Sequence, residues 1–206
     1  MKNTFDFVMD DLIEKYSIED LEETFTKLNI KNIYVFREIS KKEDLEKDFI
    51  LPKSKILKLK KAYLLKEPSL AHFYKKKELF LVTSQSLKNN TVISTSKNIP
   101  FLYNPLSDKL IFDEQNARSC FQHKVKVIFN YNLLRDKPLQ NKYLKQNLFI
   151  VNLLKIHLVD FTFASFAKTK EDLVSRDILF SLLKNFDLEE SFILKILSKG
   201  MVDNKW

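Results

Sequence analysis

Val125 to Asp177 reads VKVIFNYNLLRDKPLQNKYLKQNLFIVNLLKIHLVDFTFASFAKTKEDLVSRD, and the fold turns on this stretch. Lys126 to Asn132 is a short apolar run rich in β-formers, which predicts a strand. Beyond Pro138, apolar residues at Leu144, Leu148, Val151, Leu154 and Leu158 recur at three- and four-residue spacing, so one helix face can cover a sheet. Val159 to Ser165 is again strand-like, and Ser175 to Asn185 is again helical. Strand, loop, helix, strand, loop and helix in that order is the βαβα pattern of a parallel α/β fold. In such folds ligands meet the chain at the carboxyl ends of the strands, so the loops after the two strands are the place to look for chemistry.

Outward from this stretch the pattern continues. Thr4 to Met9 places Phe5, Phe7 and Met9 around Asp6 as a first strand, ending at Asp10 and Asp11. Ser17 is a natural N-cap for a helix carrying Ile18, Leu21, Phe25 and Leu28 on one face. Asn32 to Ile39 predicts the second strand, and the charged run Ser40 to Lys47 a short helix. Lys53 to Lys66 predicts a third strand, with lysines guarding its outer face. Pro68 to Tyr74 begins a short helix closed by Lys75, Lys76 and Lys77, whose charge suits a helix end. Leu79 to Thr83 and Thr91 to Ser94 read as short strands, and Ile99 to Lys109, with Pro100 and Pro105, as irregular. Asp113 opens a helix running through Ala117 and Phe121 to His123, and DILFSLLKNF and EESFILKILS close the chain as two helices. Seven or eight alternations of strand and helix predict an α/β fold, a small, eroded TIM-like (β/α) barrel forming a single domain over residues 1–206. An open doubly wound sheet is the competing arrangement.

Composition narrows the function classes. The 206 residues carry 35 Lys and Arg against 27 Asp and Glu, a formal charge of +8 that suits a polyanionic partner. A single glycine, Gly200, excludes the GxGxxG and Walker loops, which need glycine where backbone approaches phosphate. Turns must then be built from Asn, Asp and Ser. Cys120 is the only cysteine, so no disulfide framework or cysteine zinc site exists. No run approaches the ~18 apolar residues of a membrane span, and a cytoplasmic protein without membrane partners is expected.

Four pieces resemble one family in their order. DEQNAR, Asp113 to Arg118, followed by VIFNYNLL, looks like an Asp-His-x-x-Ala-Arg helix leading to a strand that ends Phe-Ser-Leu-Arg-Pro-Leu-Leu. FTFAS resembles a strand ending in a Ser-Ser pair. LVSRDI, Leu173 to Ile178, looks like Arg-x-Pro-Arg-Asp-Leu, and the last helix, reaching Leu197 and Ser198, resembles an Ala-x-x-x-Ser closing segment. The family is the thirty-kilodalton protein subunit of ribonuclease P, protein component 3 in archaea. Asn132 and Leu133 stand for the family's Arg and Pro, Ala164 for the first Ser, and Ser175 for the Pro before Arg176. Arg118, Ser165, Arg176 and Asp177 are retained.

The resemblance implies a barrel-like protein that binds the catalytic RNA of ribonuclease P and pairs with a second small protein subunit. The complex removes the 5′ leader of precursor tRNA through magnesium held by the RNA, so the chain itself carries no catalytic residue and no metal or other cofactor. Arg176 is expected to fork onto phosphate or guanine with Asp177 positioning it. Lys168 and Lys170 in the same loop contribute counterion release. Arg135 and Lys137, after the preceding strand, are expected beside them, with Ser165 and Asn132 in support. Arg118 points to a partner protein or a local acid, and more weakly to RNA.

Two other readings compete. A metal-dependent phosphoesterase of the polymerase-and-histidinol-phosphatase barrel type requires several histidines converging with acids. His72, His123 and His157 are isolated, and Asp6, Asp10 and Asp11 fit helix capping as well as they fit magnesium. A free-standing RNA-binding or adaptor protein would use the same cations, with aromatics for stacking, although most of the 18 Phe fall on apolar faces.

Overall fold

In the computed structural model of the chain, residues 5–47, 49–75, 78–106, 109–135, 140–184 and 188–198 are described, with only the backbone at positions 134, 135, 140, 143, 176, 195 and 198. Among them are the strands β1 (Phe5–Met9), β2 (Asn32–Ile39), β3 (Lys58–Leu65), β4 (Leu79–Thr83), β5 (Phe101–Tyr103), β6 (Lys126–Asn130) and β7 (Phe161–Ala164), ordered in one sheet as in the sequence. Phe7 lies opposite Tyr34, Leu64 opposite Leu81, and Leu102 opposite both Val82 and Val127, all in parallel ladders. Parallel neighbours need crossover connections, and most are helical. This is the expected α/β fold of the TIM-like (β/α) barrel class, with seven strands. By internal contacts the chain divides into two units, Met1–Arg37 with Ile50–Lys61 and Thr162–Trp206, and Glu38–Phe49 with Ala62–Phe161.

The first unit is built on β1. Phe7, Phe36 and Phe166 meet with ring centroids 5.2–5.8 Å apart, and Tyr34 stands edge-on to Phe7 at 5.4 Å. Helices α1 (Asp10–Lys15) and α2 (Ile18–Lys27) follow β1, burying Leu12, Leu21 and Phe25. Ser17 caps α2 as expected, its hydroxyl accepting from the Asp20 amide at 3.2 Å. The short α1 was not anticipated, because the strand reading stopped at Asp10 and Asp11; both acids in fact occupy its first turn, where they favour the positive helix end. The chain leaving β7 joins β1 directly: Phe166 donates its amide to the Phe7 carbonyl, and Met9 donates to Ala167. Helices α6 (Arg176–Lys184) and α7 (Glu190–Ser198) complete this unit and pack on each other.

In the second unit, two expectations fail. Thr91 to Ser94 is not a strand but part of helix α3 (Leu87–Thr95). Ser86 caps it by accepting from the Asn89 amide, and the Thr91 and Thr95 hydroxyls bond back to the carbonyls of Leu87 and Thr91 at 3.0 and 2.7 Å. The cap and back-bonding satisfy the polar groups that make TVIST a poor helix on propensity. Buried Asn90 then ties α3 to the Ile111 carbonyl at 2.7 Å. The second failure lies in the segment read as irregular, which contains β5. Pro100 sits just before that strand, where a missing amide costs no ladder bond, and its carbonyl accepts from Lys126 at 2.9 Å.

Helix α4 (Glu114–His123) begins at Asp113, which forms a reciprocal capping box with Asn116. Helix α5 (Gln140–Ile156) buries Asn147, Ile150, Val151 and Leu154. Leu158, expected on that face, lies past the helix end at φ 57° and is 76% exposed. With almost no glycine available, left-handed backbone falls to Asn29, Asn104, Lys124, Leu158 and Phe166. Only two of these are the Asn expected for such positions, so bulkier residues carry the strain as well. The 3-10 turns Lys42–Leu45, Pro68–His72, Tyr131–Arg135 and Lys170–Asp172 fill out connections. Those after β2 and β3 replace full helices, and the expected Lys53-to-Lys66 strand begins only at Lys58.

Candidate nucleic-acid interface

The loop leaving β7 is held from below by buried groups. Ser165 is fully buried; its amide donates to the Asp6 carboxylate at 2.9 Å, and its hydroxyl donates to the Phe7 carbonyl at 2.9 Å. The same Asp6 oxygen accepts from the Phe7 amide at 2.8 Å. Burial pushes the Asp6 carboxyl up to about 6, against the opposing pull of the Ser165 and Phe7 bonds. Ser165 therefore supports the site by fixing where the loop starts, not by facing a ligand.

Beyond it the loop turns out to the surface. Asp172 accepts from the amides of Lys168 and Thr169 at 3.1 and 3.0 Å, closing a tight turn. Lys168, 58% exposed, reaches Asp11 at 3.2 Å. Lys170 lies 3.7 Å from Asp20 and 4.6 Å above the Tyr16 ring. Both predicted lysines thus share one turn, each beside an acid of α1 or α2. The exposed Lys168–Asp11 pair is worth at most about 1 kcal/mol, so a phosphate can take that acid's place.

Arg37, which sequence reading did not single out, joins them on β2. It contacts Asp10 at 2.6 Å and Glu14 at 3.3 Å. A lone arginine within an apolar strand, YVFREI, was the available signal. These contacts also bear on magnesium: Asp6 is engaged by two amides, Asp10 by Arg37 and Asp11 by Lys168, so the three acids do not converge as a ligand set. Among the described residues no three His, Cys, Asp or Glu group as metal ligands.

Arg176 opens α6, with Asp177 exposed in the same first turn and the Ser175 hydroxyl accepting from the Ile178 amide at 3.3 Å. The Arg176 and Arg135 side chains, like Lys137, Lys76 and Lys77 as a whole, lie outside the described residues. Arg118 pairs with Glu114 at 2.6 Å on the surface of α4, the local acid anticipated for it, and His157 lies 3.6 Å from the same carboxylate. Cys120 is buried on that helix, and burial pushes its thiol up to about 12.

Asn132 belongs to a neutral network in the second unit. Its amide donates to the Asn130 side chain at 3.0 Å; Asn130 in turn donates to the Tyr103 hydroxyl at 3.0 Å and, through its own amide, to Asn104 at 3.3 Å. Burial pushes the Tyr103 phenol up to about 12. The carboxyl ends of β5 and β6 therefore present amides and a neutral phenol, groups suited to hydrogen bonding but not to activating water. The asparagines of YNP and FNYN carried this signal only once the strands were side by side.

No family model matches the chain, and no curated protein matches it. Solved structures do. The chain resembles one in the cryo-electron-microscopy structure of an archaeal ribonuclease P with mature tRNA, at TM-score 0.75 and 18% identity, over 93% of this chain and 86% of that one. It also resembles an uncharacterized protein (TM-score 0.62, 7% identity, 96% and 72% covered) and an amidohydrolase (TM-score 0.58, 8% identity, 90% and 70% covered). At these identities the likenesses show the shared fold.

Proposed function

We propose that this chain is a protein subunit of ribonuclease P, binding and stabilising the catalytic RNA that removes the 5′ leader of precursor tRNA. The observation that carries the reading is the likeness over 93% of the chain to a chain of archaeal ribonuclease P. It joins the ordered resemblance of the Asp113-to-Arg118, Phe161-to-Ser165 and Leu173-to-Ile178 segments to the same family. In this reading residues 1–206 act as one domain in the cytoplasm, with a second small subunit as protein partner.

The protein's part is electrostatic. Lys168, Lys170 and Arg176, with Arg135, Lys137 and Arg118, contact RNA phosphates, release counterions and reduce repulsion between RNA helices. Asp177, Ser165 and Asn132 hold the loops that present them. Hydrolysis uses magnesium bound by the RNA.

Affinity purification of the tagged protein from its native cell tests the reading. Sequencing of the bound RNA should recover a ribonuclease P RNA, and nuclease treatment of the purified complex should abolish precursor-tRNA cleavage. Recovery of no structured RNA, or cleavage that survives loss of the RNA, would overturn it.

A further inference from the structure

The connections after β2 and β3 make single 3-10 turns where a (β/α) unit ordinarily lays down a helix. A groove is left between them within the second unit. It has a volume of about 210 Å³ and is lined by Lys42, Leu45, Glu46, Phe73, Tyr74 and Lys75. Pockets for drug-sized ligands run to roughly 300–1,000 Å³, so this groove suits one planar group rather than a whole small molecule.

Its walls are unequal. Tyr74 is locked in place, packed in tilted contact against Phe80 at 4.7 Å and Tyr63 at 5.6 Å, with its hydroxyl donating to the Glu78 carbonyl at 3.0 Å. Leu45 is buried. Phe73 by contrast is 50% exposed, and the ammonium of exposed Lys42 sits over its ring, 4.8 Å from the centroid. Two lysines against one glutamate leave the lining with a positive excess, and Lys75 opens a run of three lysines in the sequence. An exposed aromatic face beside exposed cations is the arrangement that binds a base by stacking and its phosphate by charge.

We infer that this groove takes one unpaired nucleotide of an RNA strand, the base stacking on Phe73 and the flanking phosphates meeting Lys42 and Lys75. The inference rests on the RNA-binding reading above. Among the described residues other apolar side chains are also exposed, Phe121 and Phe149 included, but neither lines this groove. Lys42 leaves the ring for phosphate as the base arrives, because its contact there is exposed and weak. The lining residues lie away from Lys168 and Lys170 in sequence, so the groove adds a strand-selective contact to a loop that reads only charge.

Fluorescence anisotropy with the full chain tests this. The probes are a labelled mixed-sequence single-stranded RNA dodecamer and its fully paired duplex. Phe73→Ala should weaken single-strand binding about tenfold and leave duplex binding nearly unchanged, and Phe73→Trp should retain the wild-type single-strand affinity. Because Phe73 is half exposed, a thermal melt that matches wild type keeps the comparison valid; Phe73→Trp supplies the comparison if the alanine variant melts early. Unchanged single-strand binding by Phe73→Ala, or an equal loss on duplex, would overturn the inference while leaving the subunit reading in place. Loss of a co-purifying protein from Phe73→Ala with RNA binding intact would assign the groove to a protein partner instead. Failure of the wild-type chain to bind either RNA would count against the RNA-binding reading itself, and this inference would fall with it.

Discussion

At the residue scale, Asp6 is the group most displaced by folding among the described carboxylates. Its carboxyl is raised from 3.8 to about 6 by burial, so the native state binds its proton more tightly than the unfolded chain does. Its contribution to stability is therefore fully present below about pH 4 and is lost as pH rises through about 6. Asp6→Asn keeps an acceptor for the Ser165 and Phe7 amides without the charge. The variant should match wild type near pH 4 and exceed it by about 2–3 kcal/mol above pH 7; denaturant unfolding at successive pH values measures the difference, and a constant offset across the range would refute it. Lys168 bears on binding. Its exposed pair with Asp11 means that Lys168→Glu should change stability by less than about 0.5 kcal/mol, while weakening RNA binding several-fold. A variant that unfolds early would mark the lysine as structural. Arg37 shows why such pairs are hard to read: its partner Asp10 lies 27 positions away, and only adjacent strands bring the two to 2.6 Å.

At the element scale, the scarcity of glycine is borne at helix ends. Lys124 terminates α4 at φ 59° and Leu158 follows α5 at φ 57°, each in a region that costs a residue with a Cβ about 1 kcal/mol. Leu158 is largely exposed, so Leu158→Gly removes that strain with little lost burial. It should raise stability by about 0.5–1 kcal/mol, a gain of about 1–4 °C in Tm for a chain of this size; a lowered Tm would show that Leu158 packs against something its exposure conceals. Helix α3 makes the opposite point. Its sequence favours a strand, and Ser86 with the threonine back-bonds decides for helix. Ser86→Ala should cost about 1 kcal/mol, read from thermal melts, and an unchanged melting point would mean that packing on α4 alone holds the helix.

On the scale of the whole molecule, the positive charge excess predicts how binding responds to salt. If about three phosphates are contacted, affinity for ribonuclease P RNA should fall about tenfold or more between roughly 0.1 and 0.3 M monovalent salt. A flat titration would turn attention to adaptor roles that use no phosphate contacts. The sequence by itself determined the α/β class, six of the seven strands, and the long helix between Lys126–Asn130 and Phe161–Ala164, because periodicity and caps are local properties of the chain. It also placed Lys168 and Lys170 in one turn after a strand. Only the tertiary structure decided the rest. TVIST became helix because of a cap and of carbonyls one turn back, and FLY became strand because β4 and β6 flank it. Ser165 became a buried support because Asp6, 159 positions earlier, lies beneath it. Charge pairs, burial and grooves arise from residues distant in sequence, and no local pattern encodes which distant acid a lysine will meet.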